Sequence, residues 1–377
     1  MTKPQLLSSS EHTTSPIQED EVLSTNVLSR LQEVTKHLEK IDAQLTKNNK
    51  HLENIEGLIC SKMNSSAANK TSSLVKRLFW PRLGNLNQSP PCQLLLDDSY
   101  FKTSPPPKAP KISLVTPSFR QGAFIERTIL SILHQDYPNL EYIVQDGGST
   151  DDTVAHLKKY EHRLTSWVSE KDGGQTNAIN RGFAKTDGEI MGWLNSDDLL
   201  LPGSLNTVAN FFAQNPHVDV VYGHRILINE HDHQIGRWIM PNHNHDVLSW
   251  ADFIPQETMF WRRSLWEKVG ASLDENFKFA MDWDLILRFR KAGAKFVRIP
   301  RFLGAFRIHS AQKTSAVISD IGFKEMDILR KREIGYVPGY PEIRKNLLIY
   351  ILEHIALDYS YRLSRNFKPR KPFMVMA

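Results

Sequence analysis

Two short acidic segments supply side chains that could hold a metal ion and a phosphate group. Residues 145–152 read QDGGSTDD and residues 195–198 read NSDD, and each segment follows an apolar run, at residues 142–144 and 190–194. Carboxylates at the carboxyl ends of strands in an α/β sheet lie where ligands bind, and closely spaced acids there can hold a hard divalent cation that also contacts phosphate oxygens. Such a cation would neutralise the charge that develops when a diphosphate leaves.

The alternative is that these acids cap helices and stabilise turns, as Asp151 or Asp152 could do. Two such clusters about 50 residues apart favour a binding site over isolated caps.

An alternation of strand-like and helix-like segments would position these acids. Strands are predicted at residues 112–116, 141–145, 167–169 and 189–194, and helices at residues 123–134, 152–160 and 176–183. Such β-α alternation indicates a mostly parallel central sheet covered by helices. The sequence therefore predicts an α/β domain at residues 111–315, followed by a helical extension at residues 316–377 with a basic tail.

The N-terminal region repeats apolar residues every seven positions. Leucine or isoleucine recurs at positions 31, 38, 45, 52 and 59, and a second apolar position recurs at 27, 34, 41 and 55, interrupted by Asn48. After a disordered N-terminus at residues 1–21, the pattern predicts a coiled coil at residues 22–60. The alternative, one amphipathic helix packed on its own domain, needs a wider apolar face. We therefore expect self-association through the coiled coil.

Residues 61–110 are rich in Ser, Asn and Pro, a composition typical of a linker. Within them, residues 74–83 mix aliphatic, aromatic and basic side chains and predict a short helix. That helix could lie on a membrane surface or pack on the α/β domain.

The composition bounds the cellular setting. Of the 377 residues, 40% are hydrophobic and 24% are charged, which allows a large core in an ordinary water-soluble protein. The net charge of +5 suits phosphate-bearing ligands, and we expect no nucleic-acid partner. Two cysteines cannot form a disulfide framework, and no apolar run is long enough for a membrane span or a signal peptide. These features predict a cytoplasmic protein.

The chain ends in a run of basic residues with no acid between them, namely Arg362, Arg365, Lys368, Arg370 and Lys371. Cations near an anionic leaflet favour binding to it. Two interpretations stay open: peripheral contact with the inner face of the plasma membrane, or a solvated tail.

Five motifs occur in the order found in glycosyltransferase family 2. They read TPSF at residues 116–119, QDGGSTD at 145–151, SEKDGGQ at 169–175, NSDD at 195–198 and MDWD at 281–284. The ordered set resembles that family over about 200 residues, from 111 to 314. The resemblance implies a GT-A fold, a UDP- or dTDP-sugar donor, Mg²⁺ or Mn²⁺, and an inverting, non-processive displacement. The implied acceptor is a glycan or a lipid-linked glycan in cell-surface polysaccharide synthesis.

The resemblance also assigns donor contacts to individual residues. Those implied to bind the nucleotide sugar are Pro117, Ser118, Phe119, Asp146, Asp172, Gln175, Asn180, Asn195 and Ser196. Among them, Asp146 is implied to meet the base or the ribose. Asp172 and Gln175 could instead cap the helix that follows them, and both roles can coexist.

The metal motif departs from the family pattern at its first position, where Asn195 replaces the usual acid. Asp197 is therefore implied to be the principal metal ligand, and Asp198 to hold the loop. His309 matches a histidine that completes donor or metal binding in some relatives, and a surface histidine is the alternative.

A base must lie within reach of the acceptor hydroxyl in an inverting displacement. Asp282 and Asp284 are the candidates, and on a helix residues i and i+2 point to nearly opposite sides. The resemblance selects Asp282, although Met281 replaces the acid that usually precedes it. The alternative role for Asp282 is capping of the helix.

Other patterns favour no different site. Residues 234–238 read QIGRW, a signature of processive relatives, but the segment precedes Asp282 and is predicted to form one arm of a hairpin with its tip at residues 229–233. The pairs His231/His233 and His243/His245 are too few to make a zinc site. The resemblance places acceptor recognition at residues 250–266, whose aromatic residues could also be core.

Two other functions compete with the transferase. A sugar-nucleotide pyrophosphorylase would carry a Gly-rich loop with Arg and Lys after the first strand, and residues 118–122 read SFRQG. A coiled-coil scaffold with a degenerate transferase domain would explain Asn195 and Met281, but not the presence of Asp146, Asp197 and Asp282.

Overall fold

A computed structural model describes residues 82–310, 312, 321–364, 370–373 and 375 of the chain. The predicted disordered N-terminus, the predicted coiled coil at residues 22–60 and residues 61–81 of the predicted linker lie outside these residues.

Within the described ranges, nine strands form one sheet and two short strands pair separately. The strands are β1 (Leu95–Asp97), β2 (Ile112–Ser118), β3 (Leu140–Asp146), β4 (Ser166–Ser169), β5 (Ile190–Trp193), β6 (Leu199–Leu200), β7 (Val220–Ile228), β8 (Gln234–Trp238), β9 (Phe260–Arg262), β10 (Phe296–Arg307) and β11 (Arg370–Pro372). The large sheet has the order β4-β3-β2-β5-β9-β7-β10-β6, and β8 pairs with β7.

The α-helices in the same part of the chain are α1 (Ile125–Leu133), α2 (Thr153–Tyr160), α3 (Gln175–Phe183), α4 (Ser204–Gln214), α5 (Arg263–Lys268), α6 (Met281–Lys291), α7 (Phe323–Ile334) and α8 (Tyr340–Ser364). The first three alternate with β2 to β5, as the sequence predicts. All seven residues of β2 are buried because this strand lies inside the sheet, and three of them, Ser113, Thr116 and Ser118, carry a hydroxyl group.

The sheet is mixed, so the prediction of a mostly parallel sheet was wrong. The pairs β4–β3, β3–β2, β2–β5 and β7–β10 are parallel, but β9 runs antiparallel to both β5 and β7, and β6 runs antiparallel to β10. The predicted hairpin is confirmed, since β7 and β8 pair antiparallel on either side of its tip.

Both flanks of the α/β domain pack onto it. Residues 82–110, predicted as linker, include β1, which pairs antiparallel with β11 from the C-terminal tail. The C-terminal helix α8 buries Tyr350, His354 and Asp358 against the domain. The domain therefore continues on both sides of residues 111–315.

The basic tail makes ion pairs with the acids of this chain. Arg362 pairs with Asp358, and Lys371 lies 3.0 Å from a carboxylate oxygen of Asp98. Arg365 and Lys368 lie outside the described residues. Across the residues that are described, no helix combines the length and the apolar composition needed to span a bilayer.

Candidate active site

The carboxyl ends of the parallel strands open into a cavity of about 900 Å³. The register places Ser118, Asp146 and Ser169 side by side at the ends of β2, β3 and β4. Most of the residues predicted from the sequence line this cavity, namely Pro117, Ser118, Phe119, Asp172, Gln175, Asn195, Ser196, Asp197 and Asp282. The motifs converge because parallel strands end at one edge of the sheet. Asp146, Asn180 and His309 lie outside the cavity lining.

Asp146 is fully buried, and the protein itself occupies both of its carboxylate oxygens. Oδ2 accepts hydrogen bonds from the backbone N–H of Ser149 at 2.8 Å and from the hydroxyl of Ser169 at 2.6 Å. Oδ1 accepts from the hydroxyl of Ser149 at 2.6 Å. Asp146 therefore holds in place the loop whose residue Gly147 lines the cavity. A direct contact between Asp146 and the nucleotide stays a prediction.

Asp172 and Gln175 lie at the start of α3. Oδ1 of Asp172 accepts from the backbone N–H of Gly174 at 2.8 Å, and Gln175 donates to Oδ1 of Asn195 at 2.8 Å. No side chain caps α3, whose N-cap residue is Gly174 with φ of 101°. Burial, with a further contribution from the Asp146 carboxylate, raises the pKa of Asp172. The N-terminus of α3 thus lies at the cavity, which Gly174, Gln175 and Thr176 line.

Asn180 connects α3 to a neighbouring loop. Its Oδ1 accepts from the backbone N–H of Leu273 at 2.8 Å, and its Nδ2 donates to the carbonyl of Leu273 at 3.0 Å and to Glu275 at 3.1 Å. These contacts give Asn180 a structural role outside the cavity lining, and the implied donor contact stays a prediction.

Asp197 and His309 meet at the cavity edge. Nε2 of His309 lies 3.0 Å from Oδ2 of Asp197, and the side chain of His309 is only 2% exposed. The alternative of a surface histidine was therefore wrong. Phe124 packs against the imidazole with ring centroids 4.5 Å apart. The described ranges contain no cluster of three or more His, Cys, Asp or Glu side chains arranged to hold a metal, at the His231/His233 and His243/His245 pairs or elsewhere.

The loop that carries Asp197 is tied to the end of β10 by Arg307, whose side chain is fully buried. Nε of Arg307 donates to the carbonyl of Asp197 at 2.6 Å, and its backbone N–H donates to Oδ1 of Asp198 at 2.9 Å. Burial and the carboxylates of Asp197 and Glu257 raise the pKa of Asp198 well above its usual range. Asp198 therefore joins the loop to β10, and both Asp197 and Asp198 line the cavity.

The first turn of α6 brings Asp282, and not Asp284, to the cavity. Asp282 lines the cavity, and its Oδ1 accepts from the backbone N–H of Trp283 at 2.9 Å. Asp284 is 1% exposed and pairs with Arg288 at 2.8 Å and Arg332 at 2.5 Å. The two acids thus point in different directions, as their spacing on a helix requires.

A second carboxyl group, which no sequence motif marks, lies near Asp282. Asp252 lines the same cavity, and its Oδ1 is shielded from solvent without a hydrogen-bond partner among the described residues. Burial, and then the Asp282 carboxylate, raise the pKa of Asp252 well above its usual range. Asp252 lies within residues 250–266, which the resemblance assigned to acceptor recognition, but a lone acid forms no motif, so only the folded structure singles it out.

We expect Asp252→Asn to stabilise the protein at pH 8 and to have less effect at pH 4. An aspartate in an unfolded chain titrates near pH ~3.9, whereas the pKa of folded Asp252 is raised. Its charge therefore costs stability increasingly as the pH rises above the unfolded value, and asparagine cannot ionise. Thermal denaturation across this pH range measures the difference.

The control for that measurement is Asp246→Asn, because Asp246 is exposed. It should leave the melting temperature nearly unchanged at both pH values. A melting temperature for Asp252→Asn that is lower than the wild-type value throughout would contradict the burial of an unfavourable charge at this position.

The sequence also missed an ion pair in the cavity wall. Arg225 on β7 pairs with Glu257 through two contacts, Nε to Oε1 at 2.7 Å and Nη2 to Oε2 at 2.5 Å. The guanidinium of Arg225 lies between two rings, 4.8 Å from the centroid of Trp238 and 4.5 Å from that of Phe306. All four residues line the cavity. Their contacts join separate strands and a 3₁₀ turn, so no local spacing predicts them.

Comparison with known proteins identifies the family. The family model described as "Glycosyl transferase family 2" matches residues 113–278. An uncharacterized glycosyltransferase of Mycobacterium tuberculosis is 32% identical over 186 residues, which cover 48% of this chain and 69% of the relative. The S. aureus TarS 1-349 structure in complex with UDP-GlcNAc matches with a TM-score of 0.50 and 19% identity, covering 68% of this chain and 76% of that chain. This last likeness concerns the fold alone.

Two other relatives carry more specific names. The O-antigen biosynthesis protein RfbC of Myxococcus xanthus is 29% identical over 213 residues, which cover 55% of this chain and 16% of RfbC. The GalNAc(5)-diNAcBac-PP-undecaprenol beta-1,3-glucosyltransferase of Campylobacter jejuni is 38% identical over 104 residues, which cover 26% of this chain and 33% of that enzyme.

The α/β fold and these relatives define a glycosyltransferase. The chain belongs to glycosyltransferase family 2, and the family resemblance seen in its motifs is thereby confirmed.

Proposed function

We propose that this enzyme transfers a sugar, with inversion and without processivity, from a UDP- or dTDP-sugar to a glycan or lipid-linked acceptor of a cell-surface polysaccharide. The observation that carries the proposal is one cavity that is lined by the N-terminus of α3, by Asp197 and by Asp282. The names of the relatives support the acceptor class, because one is an O-antigen biosynthesis protein and another acts on an undecaprenol-linked glycan.

The donor would bind at the ends of β2 and β3. Phe119 is 56% exposed there and would stack on the base. The backbone N–H groups at the start of α3 would face the diphosphate, since a helix N-terminus favours anions. Lys171 lines the same part of the cavity and adds a positive charge.

Asp197 and His309 fit a divalent cation. Mn²⁺ accepts both carboxylate and imidazole ligands, whereas Mg²⁺ prefers oxygen ligands. Oδ2 of Asp197 and Nε2 of His309 lie 3.0 Å apart. Two protein ligands leave coordination positions for the phosphate oxygens of a donor. A bound cation would supply charge neutralisation of the leaving diphosphate. Arg307 would hold the loop in place through the carbonyl of Asp197.

Asp282 would act as the general base. Its carboxylate would accept the proton of the acceptor hydroxyl while that oxygen attacks the anomeric carbon and the nucleoside diphosphate leaves. One displacement of this kind inverts the anomeric configuration. Asp284 is held in ion pairs, which leaves Asp282 as the acid of its motif that faces the cavity.

Three further features belong to this proposal. The heptads at residues 22–60 would join copies of the chain. The enzyme would work in the cytoplasm, beside the membrane that holds a lipid-linked acceptor. The basic tail would contribute weakly to that placement, because Arg362 and Lys371 already pair with acids of the domain.

A panel of nucleotide sugars tests the donor class. We expect slow release of nucleoside diphosphate from a UDP- or dTDP-sugar in the presence of Mn²⁺ or Mg²⁺, and weaker release from GDP-sugars. The measurement is chromatography of the released nucleotide without an added acceptor. If nucleoside diphosphate is released as fast in excess EDTA as with the cation, the proposed role of the metal is contradicted. If the enzyme neither binds nor cleaves any nucleotide sugar, the transferase proposal is contradicted.

A further inference from the structure

A segment that precedes the family-matched residues forms part of the cavity wall. We call residues 82–92 the strap. Its second half runs along β8: the backbone N–H groups of Gln88 and Ser89 donate to the carbonyl of Ile235 at 2.9 and 3.0 Å. Cys92 and Gln234 exchange two backbone hydrogen bonds, at 3.0 and 2.7 Å. The strap is therefore attached to the edge of the sheet like a short extra strand.

The first half of the strap is fixed at two more points. The indole N–H of Trp238 donates to the carbonyl of Asn85 at 3.1 Å, and the backbone N–H of Leu83 donates to Nε2 of His354 at 3.0 Å. Between these anchors, Gly84 has φ of 81°, a left-handed conformation that glycine adopts without strain. Gly84 and Leu86 both line the cavity. The turn thus presents Leu86 to the active site.

The strap lies on the side of the cavity away from the proposed nucleotide site. It is bonded to β8, which pairs with β7, and two strands, β5 and β9, separate β7 from β2. Neighbouring strands are about 4.8 Å apart, so three steps place β7 about 14 Å from β2. The residues proposed to bind the nucleotide lie at the ends of β2 and β3. Leu86 therefore faces the region left for the acceptor.

The side chains beside Leu86 suit a sugar ring. Trp238 and Phe306 enclose the guanidinium of Arg225, and Glu257 fixes its orientation. Nη1 of Arg225 donates no hydrogen bond to any residue that the structure describes. A pyranose has an apolar C–H face and a ring of hydroxyls, which apolar walls with a few fixed polar groups recognise.

The charges of this region select against an anionic acceptor. Glu257 already neutralises Arg225, and Asp252 and Asp282 add two carboxyl groups to the same cavity, against one nearby cation, Lys278. A carboxylate or phosphate placed among them would meet like charges. An uncharged sugar residue would not.

We propose that Leu86 of the strap, with Trp238, Arg225 and Glu257, forms an acceptor subsite that takes an uncharged sugar residue. Acceptor choice would then depend on a segment outside the family-matched residues 113–278. The inference rests on the proposed function, because an acceptor subsite presupposes glycosyl transfer.

Saturation-transfer NMR on the full chain tests the subsite. The probes are methyl glucoside, methyl N-acetylglucosaminide, methyl galactoside and methyl glucuronide, each with Mg²⁺ and with UDP, dTDP or GDP. We expect signals from at least one neutral glycoside and a weaker signal from the glucuronide. Leu86→Ala should weaken neutral glycoside binding about tenfold, the scale of a lost apolar contact in a pocket, and should keep nucleotide binding unchanged.

Asn87→Ala is the matched control, because Asn87 is the next residue of the strap and is exposed. It should bind both ligands as the wild type does. Four results would overturn the subsite. The wild type could bind nucleotide without any glycoside signal, or bind the glucuronide as well as the neutral glycosides. Leu86→Ala could bind the neutral glycosides as the wild type does, or lose glycoside and nucleotide binding in parallel. Failure of the wild type to bind any nucleotide would instead contradict the proposed function.

Discussion

Asp282→Asn should lower the turnover of sugar transfer by about 10²–10⁴-fold, the range that a positioned general base contributes. Asparagine keeps the size of the side chain and can still accept the hydrogen bond from the backbone N–H of Trp283. The fold of the first turn of α6 should therefore survive, and only proton acceptance is lost. Initial rates with the donor found in the nucleotide-sugar panel, together with calorimetric titration of that donor, separate turnover from binding.

Asp284→Asn is the matched control, two residues further along the same helix. Asp284 is 1% exposed and holds Arg288 and Arg332, which are 24% and 40% exposed. Removing the negative charge of Asp284 should lower the free energy of unfolding by about 2 kcal/mol, because one partner of a buried ion pair is lost. The cost stays moderate because the two arginines keep access to water. The folded fraction should keep its turnover. An inactive Asp284→Asn beside an active Asp282→Asn would reverse the assignment.

The first half of the fold follows from local sequence patterns. The predicted strand at residues 112–116 corresponds to β2 (Ile112–Ser118), and the predicted helix at residues 176–183 corresponds to α3 (Gln175–Phe183). Alternating β and α segments leave few topologies open, because crossover connections force parallel pairing. The second half was not predictable in this way. The short strand β9 pairs antiparallel with β5 and β7, and nothing in its three residues specifies either partner.

The candidate site shows the same division. Motif residues such as Asp197 and Asp282 could be found because each lies in a short segment that resembles the family. Arg225 and Glu257 are 32 positions apart, and only the folding of β7 beside a 3₁₀ turn brings them together. Asp146 shows the opposite case, since a motif aspartate uses both oxygens to bind its own loop and the adjacent strand. Short polar side chains compete in this way for nearby backbone N–H groups.

Asp197→Ala should nearly abolish transfer and should weaken nucleoside-diphosphate binding in Mn²⁺ or Mg²⁺. The carboxylate of Asp197 is the acidic ligand of the proposed cation, and without it His309 offers only one imidazole nitrogen. Removing an interaction of this kind at a developing charge typically costs at least about 10²-fold in rate. Arg307 bonds the backbone carbonyl of residue 197, and that contact does not depend on the side chain. The loop should therefore keep its position in the variant.

Calorimetric titration of the nucleoside diphosphate, with and without the cation, distinguishes a lost metal ligand from a damaged cavity. For Asp197→Ala, the weak binding measured with the cation should equal the binding measured in EDTA. Asp252→Asn is the control, because Asp252 lines the same cavity without contacting Asp197 or His309 in the described structure. It should keep cation-dependent binding. Full activity of the wild-type enzyme in excess EDTA would remove the metal from the mechanism, and the Asp197–His309 pair would then serve only to hold the loop beneath the donor.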